Sequence, residues 1–169
     1  QGLVAWHARS PSAMTPEHYP LSLGNLILGG QSGRLFVELR EQTPLAYDVW
    51  ATRSSGRAGG LVSYGLATTP QQLQTARRLL ARCLAQFADE GPTPDELERA
   101  KRMLLGGWAM RLQRASGRAA MTIRTQLYGH PSTYKALEQK LNTIGTEDVR
   151  GAMTALLQQH GLWTQVTPR

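Results

Sequence analysis

Apolar and polar positions along this chain repeat at strand and helix spacings that predict ten elements. Leu3 to Ala8 reads as a strand. After a loop rich in Ser and Pro, Tyr19, Leu23, Leu26 and Ile27 recur at helical spacing. They predict a helix over about Glu17 to Leu28, with Pro16 at its first turn. Gly29-Gly30 interrupts it. Leu35, Phe36 and Leu39 form the stripe of a shorter helix over Ser32 to Glu41, which Pro44 ends. Leu45 to Arg53 and Gly60 to Ala67 read as strands of a hairpin, joined by the flexible Ser54–Gly60 loop. Alternation puts Tyr47, Val49, Ala51 and Arg53 on one face of the first strand, opposite Trp50.

The second half is more helical. Leu73, Ala76, Leu80, Cys83, Leu84 and Phe87 mark an amphipathic helix that runs from after Pro70 to about Ala88. Thr93-Pro-Asp-Glu96 has the form of a capping box: Thr93 as N-cap, Pro94 first in the helix, Glu96 reaching back. This long helix is expected to kink at Gly106-Gly107 and resume toward Leu127. Short helices follow at Thr133 to Leu141 and from Thr146, and Leu162 to Val166 closes the chain as a strand. The pattern is α+β: a mixed, mainly antiparallel sheet covered by helices on one side.

Composition narrows the function classes. A 169-residue chain with 41% hydrophobic residues suits one folded domain. It opens as Gln1-Gly-Leu-Val-Ala-Trp-His7 with no initiator methionine, so residues 1–169 are expected to be a single domain excised from a longer chain. The net charge is +7, from 19 basic and 12 acidic residues. The arginines are scattered, without a recognition-helix pattern or zinc-finger spacing, so nucleic acid is not an expected partner. No apolar run is long enough to span a bilayer. The lone Cys83 sits on the apolar face of its helix and is compatible with periplasm or cytoplasm; the compartment stays open.

Several chemistries lack their residues. The four histidines His7, His18, His130 and His160 form no H-E-x-x-H or H-x-x-E-H motif. No nucleophile elbow is present. Leu28-Gly-Gly-Gln-Ser-Gly-Arg34 has three glycines, but it joins helix to helix and lacks the lysine of a phosphate loop. His130 and His160, beside Pro131 and Gly161, read as surface histidines at element ends.

Segments in one order carry a family resemblance. They are Leu28-Gly-Gly-Gln-Ser-Gly-Arg-Leu-Phe-Val-Glu-Leu-Arg-Glu41, Leu45-Ala-Tyr47, Thr93-Pro-Asp-Glu-Leu-Glu-Arg-Ala-Lys101 and Thr143-Ile-Gly-Thr-Glu-Asp-Val149. Together they resemble the C-terminal, non-zinc domain of the peptidase M16 family, which includes pitrilysin, insulin-degrading enzyme and mitochondrial processing peptidase. The resemblance implies a LuxS/M16-like metallohydrolase fold. It also implies a clamshell partner, in the same chain or another subunit, that carries the zinc, with no cofactor in this chain. A peptide or protein would be the substrate of the assembled metalloendopeptidase, and the fragment alone would be inactive.

The resemblance singles out Arg40 and Tyr47 as auxiliary catalytic residues. A permanent guanidinium and a phenolic hydroxyl can both donate to a peptide carbonyl and stabilise charge developing on its oxygen. Read without the family, Arg40 complements its helix end beside Glu38 or Glu41, and Tyr47 is a core aromatic with a wet hydroxyl. Pro44 stands where many members have glycine. The strand Gly60, Leu61, Val62, Ser63 and Tyr64 is a further candidate, for pairing with extended substrate, if its edge is open. Arg53 and Arg57 are read as favouring acidic substrates or as ordinary solvent-facing charge. The alternative reading is a non-catalytic structural or substrate-guiding subunit, like those in processing peptidase and the respiratory core proteins.

Overall fold

The computed structural model describes residues 1–167. Four antiparallel strands form one sheet in the order β2-β3-β1-β4: β1 is Gly2–Ser10, β2 Asp48–Arg53, β3 Gly60–Thr68 and β4 Leu162–Val166. Strand β1 lies inside the sheet, with Trp6 opposite Tyr64 on one side and Trp163 on the other. Its even-numbered residues Val4, Trp6 and Ala8, with their β3 partners Leu66, Tyr64 and Val62, are buried against helices. On the odd-numbered side Leu3, Leu61, Leu162 and Val166 are exposed. This is the period-two alternation of a sheet with one face in the core.

Helices α1 (His18–Leu28), α3 (Leu73–Glu90) and α7 (Thr146–Leu157) pack on the covered face with α4 (Pro94–Leu112) and α6 (Tyr134–Asn142). The α3 stripe foreseen from the spacing is buried at all six positions. Burial pushes the Cys83 thiol up to about 11, so at neutral pH it stays protonated and unreactive. No helix among the described residues is long and apolar enough to cross a membrane.

The capping box at α4 forms as expected. Glu96 N–H donates to Thr93 Oγ1 at 3.2 Å, and Thr93 N–H donates to Glu96 Oε2 at 2.7 Å. Glu96 also receives both arms of Arg34 at 2.7 Å, and Arg34 Nη2 donates to Gly91 O at 3.0 Å. The same carboxylate thus starts one helix and ties it to another segment sixty residues earlier.

Three expectations are corrected. Helix α4 runs straight through Gly106 and Gly107, both of which face open space. The break comes at Gln113-Arg114, before α5 (Ala115–Tyr128). There Arg118 donates to the end carbonyls of Leu112 and Gln113, and Gly117 passes so close to Arg111 O that a Cβ would collide. Strand β2 starts at Asp48, not Leu45. The helix foreseen over Ser32 to Glu41 is a short α-turn, α2 (Arg34–Phe36), followed by a π-helical turn at Val37–Gln42.

Candidate functional site

Arg40 stands in the π-turn, where Thr43 N–H donates to Glu38 O at 3.2 Å, five residues back. Such turns recur at functional sites because they redirect side chains within a helix. Thr43 is extended, as a residue before proline prefers. The chain then doubles back, and Leu45 N–H and Ala46 N–H both donate to Leu39 O, at 3.3 and 3.1 Å. Beyond the turn, Thr68 Oγ1 donates to Leu45 O at 2.6 Å, and Tyr47 N–H donates to Ala67 O at 2.8 Å. Leu39, Leu45, Ala46 and Thr68 are buried.

These bonds bring the backbone before Arg40 against the backbone before Tyr47, although seven positions separate the two residues. Both side chains emerge into solvent, and Tyr47 is 57% exposed. Arg40 lies over the Phe36 ring at 5.1 Å, with no carboxylate bonded to it among the described residues. Glu38, the partner offered by the alternative reading, faces Arg82 at 3.9 Å instead. A core role for Tyr47 is incompatible with its exposure. A firmly pinned main chain thus carries two exposed donor side chains, neither of them hydrogen-bonded among the described residues.

The strand candidate is corrected by the topology. Gly60, Leu61, Val62, Ser63 and Tyr64 belong to β3, which is bonded to β1 along its length and to β2 on its other side. An incoming peptide finds no free edge there. Val62 and Tyr64 point into the core, Tyr64 at 0% exposure and stacked on Trp6. The outer strands are β2 and β4, and on β2 the Ala51 carbonyl already accepts from Asn25 Nδ2 at 3.2 Å.

Arg53 is also not a solvent-facing charge. It is half-buried, with Nε donating to Ser10 Oγ at 2.9 Å and Nη1 to Ser22 Oγ at 3.0 Å. His130, read from sequence as a surface residue, packs on His18 with ring centroids 4.6 Å apart. No local motif links these residues, since positions 18, 53 and 130 meet only through the fold. The one available signal was alternation, which put Arg53 on the same strand face as Val49 and Ala51.

Zinc is the metal that the family implies. Among the described residues, no group of three or more His, Cys, Asp or Glu side chains comes together to hold a metal ion. This donor set does not fit zinc.

Solved structures first place the fold. The peptidase M16 inactive domain from Pseudomonas fluorescens superposes with a TM-score of 0.83 at 24% identity, over 97% of this chain and 40% of that one. An inactive peptidase domain from Bordetella parapertussis gives 0.86 at 23% identity, over 100% and 91%. The sequence then supplies the family. The profile described as "Peptidase M16 inactive domain" matches residues 1–104, and the chain belongs to that family. An uncharacterised zinc protease of Bacillus subtilis is 28% identical over 152 residues, 89% of this chain and 37% of its own length. A non-peptidase homologue from Helicobacter pylori is 29% identical over 109 residues, 64% of this chain and 25% of its own. The chain spans little more than a third of the Bacillus relative's length.

Proposed function

We propose that this domain is the substrate-holding, zinc-less half of an M16-type metallopeptidase. In this reading it closes against a zinc-bearing domain or subunit, and Arg40 and Tyr47 hold the peptide. The observation that carries the proposal is the exposed, unengaged pair on a turn fixed by buried backbone bonds. The guanidinium and the phenol each donate to a substrate carbonyl. Donors pre-set before the reaction stabilise charge developing on that oxygen without reorganising. Arg40 keeps its charge at any working pH.

The test is made in the full-length parent with its zinc-bearing partner. Tyr47→Phe should lower kcat/KM by about a hundredfold, the loss of one such donor being on the order of 3 kcal/mol. Thermal stability should hold, because the hydroxyl makes no bond within this domain. Unchanged turnover would overturn the assignment. Residues 1–169 alone should not hydrolyse peptide, and turnover by a contaminant-free preparation would refute the division of labour.

The second reading is a non-catalytic, guiding or structural subunit. Similarity to the Helicobacter pylori non-peptidase homologue favours it. The two readings part on the parent sequence: an H-x-x-E-H motif there or in an adjacent gene supports the first, and its absence from both supports the second.

A further inference from the structure

Between α1, the end of β2, α4 and α5 lies a cavity of about 590 Å³, within the range that small organic ligands occupy. Arg53, Arg111 and Arg124 line it together with His18 and His130, and no Asp or Glu lines it. None of the three arginines has a carboxylate within ion-pair distance among the described residues. The Arg53 guanidinium is held by neutral groups only: Ser10 Oγ, Ser22 Oγ, the His18 carbonyl at 3.3 Å and, at 3.5 Å, His18 Nδ1. It is positioned without being neutralised. His130 Nε2 donates to Ala13 O at 2.9 Å, which fixes its ring against His18.

The cavity behaves as a positive field in a half-enclosed space. Burial, then Arg53, His130 and Arg124, depress His18 to about 3. Burial also pulls Arg53 below the usual arginine value. The lining is apolar at Leu104 and Trp108 on α4 and at Met121 on α5, the helices that also carry Arg111 and Arg124. Helix α5, which contributes Met121 and Arg124, has no buried residue of its own.

We propose that this cavity binds an organic anion, with a carboxylate or phosphate head set against Arg53, Arg111 and Arg124 and an apolar body along Leu104, Trp108 and Met121. Charge-assisted bonds to guanidinium are the strong ones in a site partly screened from water. Arg40 and Tyr47 do not line the cavity, so the proposal stands apart from the substrate-holding reading.

The chain has its own core, and the Bordetella parapertussis domain of nearly the same length was crystallised separately, so residues 1–169 can be tested alone. Calorimetric titration would compare decanoate, decyl phosphate, decanol and inorganic phosphate, all below micellar concentrations. Saturable binding of decanoate, decyl phosphate or both is expected, with the Trp108 indole N–H resonance shifting; the stronger of the two identifies the head group. Arg124→Gln, on an exposed residue, should weaken binding about tenfold with the melting point retained. Decanol binding as tightly as the anions would overturn the proposal, as would inorganic phosphate matching decyl phosphate, or no saturable binding of either anion. Unaltered affinity in Arg124→Gln and in Arg53→Gln together would overturn it too.

Discussion

Arg34 and Arg53 are both half-buried guanidiniums that tie helices to distant segments, yet their surroundings differ in kind. Arg34 meets Glu96 in a two-armed ion pair, with the Phe87 ring 4.9 Å beneath it. The Glu96 bond, against burial, holds Arg34 above the usual arginine value. Burial pushes the Glu96 carboxyl up, but the Arg34 and Thr93 bonds outweigh it and hold the group below the usual range. Arg53 has only neutral acceptors, and burial lowers it. A paired buried charge serves the fold, because removing one partner strands the other. A buried charge held in place but left unneutralised remains available to an incoming anion.

The largest expected effect tests the first half of that contrast. Arg34→Ala should cost about 3 kcal/mol in urea unfolding, since Glu96 would keep its burial and lose its cation. The linkage has a definite sign. Glu96 is depressed from 4.5, so its contribution is present above that value and is lost as pH falls through the lower folded value. An Arg34→Ala chain that loses under about 1 kcal/mol, the worth of a surface pair, would erase the distinction.

His18 gives the next effect. Its folded value of about 3 lies below the ordinary 6.5, so the neutral ring is the form that the fold accepts. Between those values the unfolded chain binds the extra proton, and stability falls as pH drops from 6.5 toward 3. With solvent screening of this half-open site allowed for, the loss should be about 2 kcal/mol. His18→Asn should flatten that part of the stability profile. Parallel profiles for the two chains would show that burial and the neighbouring charges depress His18 less than the geometry implies.

Smaller effects sharpen the comparison. Arg53→Met should cost about 1 kcal/mol, because it removes hydrogen bonds to neutral groups and strands no carboxylate. A loss as large as that of Arg34→Ala would make Arg53 a structural keystone. Tyr47→Phe in the isolated chain should change unfolding by less than about 0.5 kcal/mol, as surface changes usually do.

What the sequence disclosed follows the range of the interactions. The capping box is written in four adjacent residues, and the α3 stripe in one helical repeat, so both were legible. Strand β4 likewise has the bounds expected for it, Leu162–Val166. The glycine pair at 106–107 misled because glycine permits a bend without requiring one. The real break depends on Arg118 reaching back to Leu112 and Gln113. That β3 lies inside the sheet follows from its pairing with the distant strand β1, and no local pattern states it. The Arg53 cavity is hidden for the same reason, because its five charged or imidazole groups come from four elements and a loop. Arg40 and Tyr47 were singled out by resemblance, and the residues just before each, Leu39 and Ala46, are hydrogen-bonded, whereas the π-turn that sets Arg40 left no local mark.

That turn holds one residue more than an α-turn would, and the surplus makes it a register device. Removing one position after Arg40, at Glu41 or Gln42, would let the coil close with ordinary α spacing. A π-turn absorbs its extra residue locally, so the deletion would re-aim the Arg40 side chain while the Leu45–Tyr47 backbone stays held by Thr68 and Ala67. The buried anchors Leu35 and Leu39 lie on the core side and could stay seated. The guanidinium would then leave in a new direction while both side chains are retained, so a single-codon deletion separates placement from chemistry.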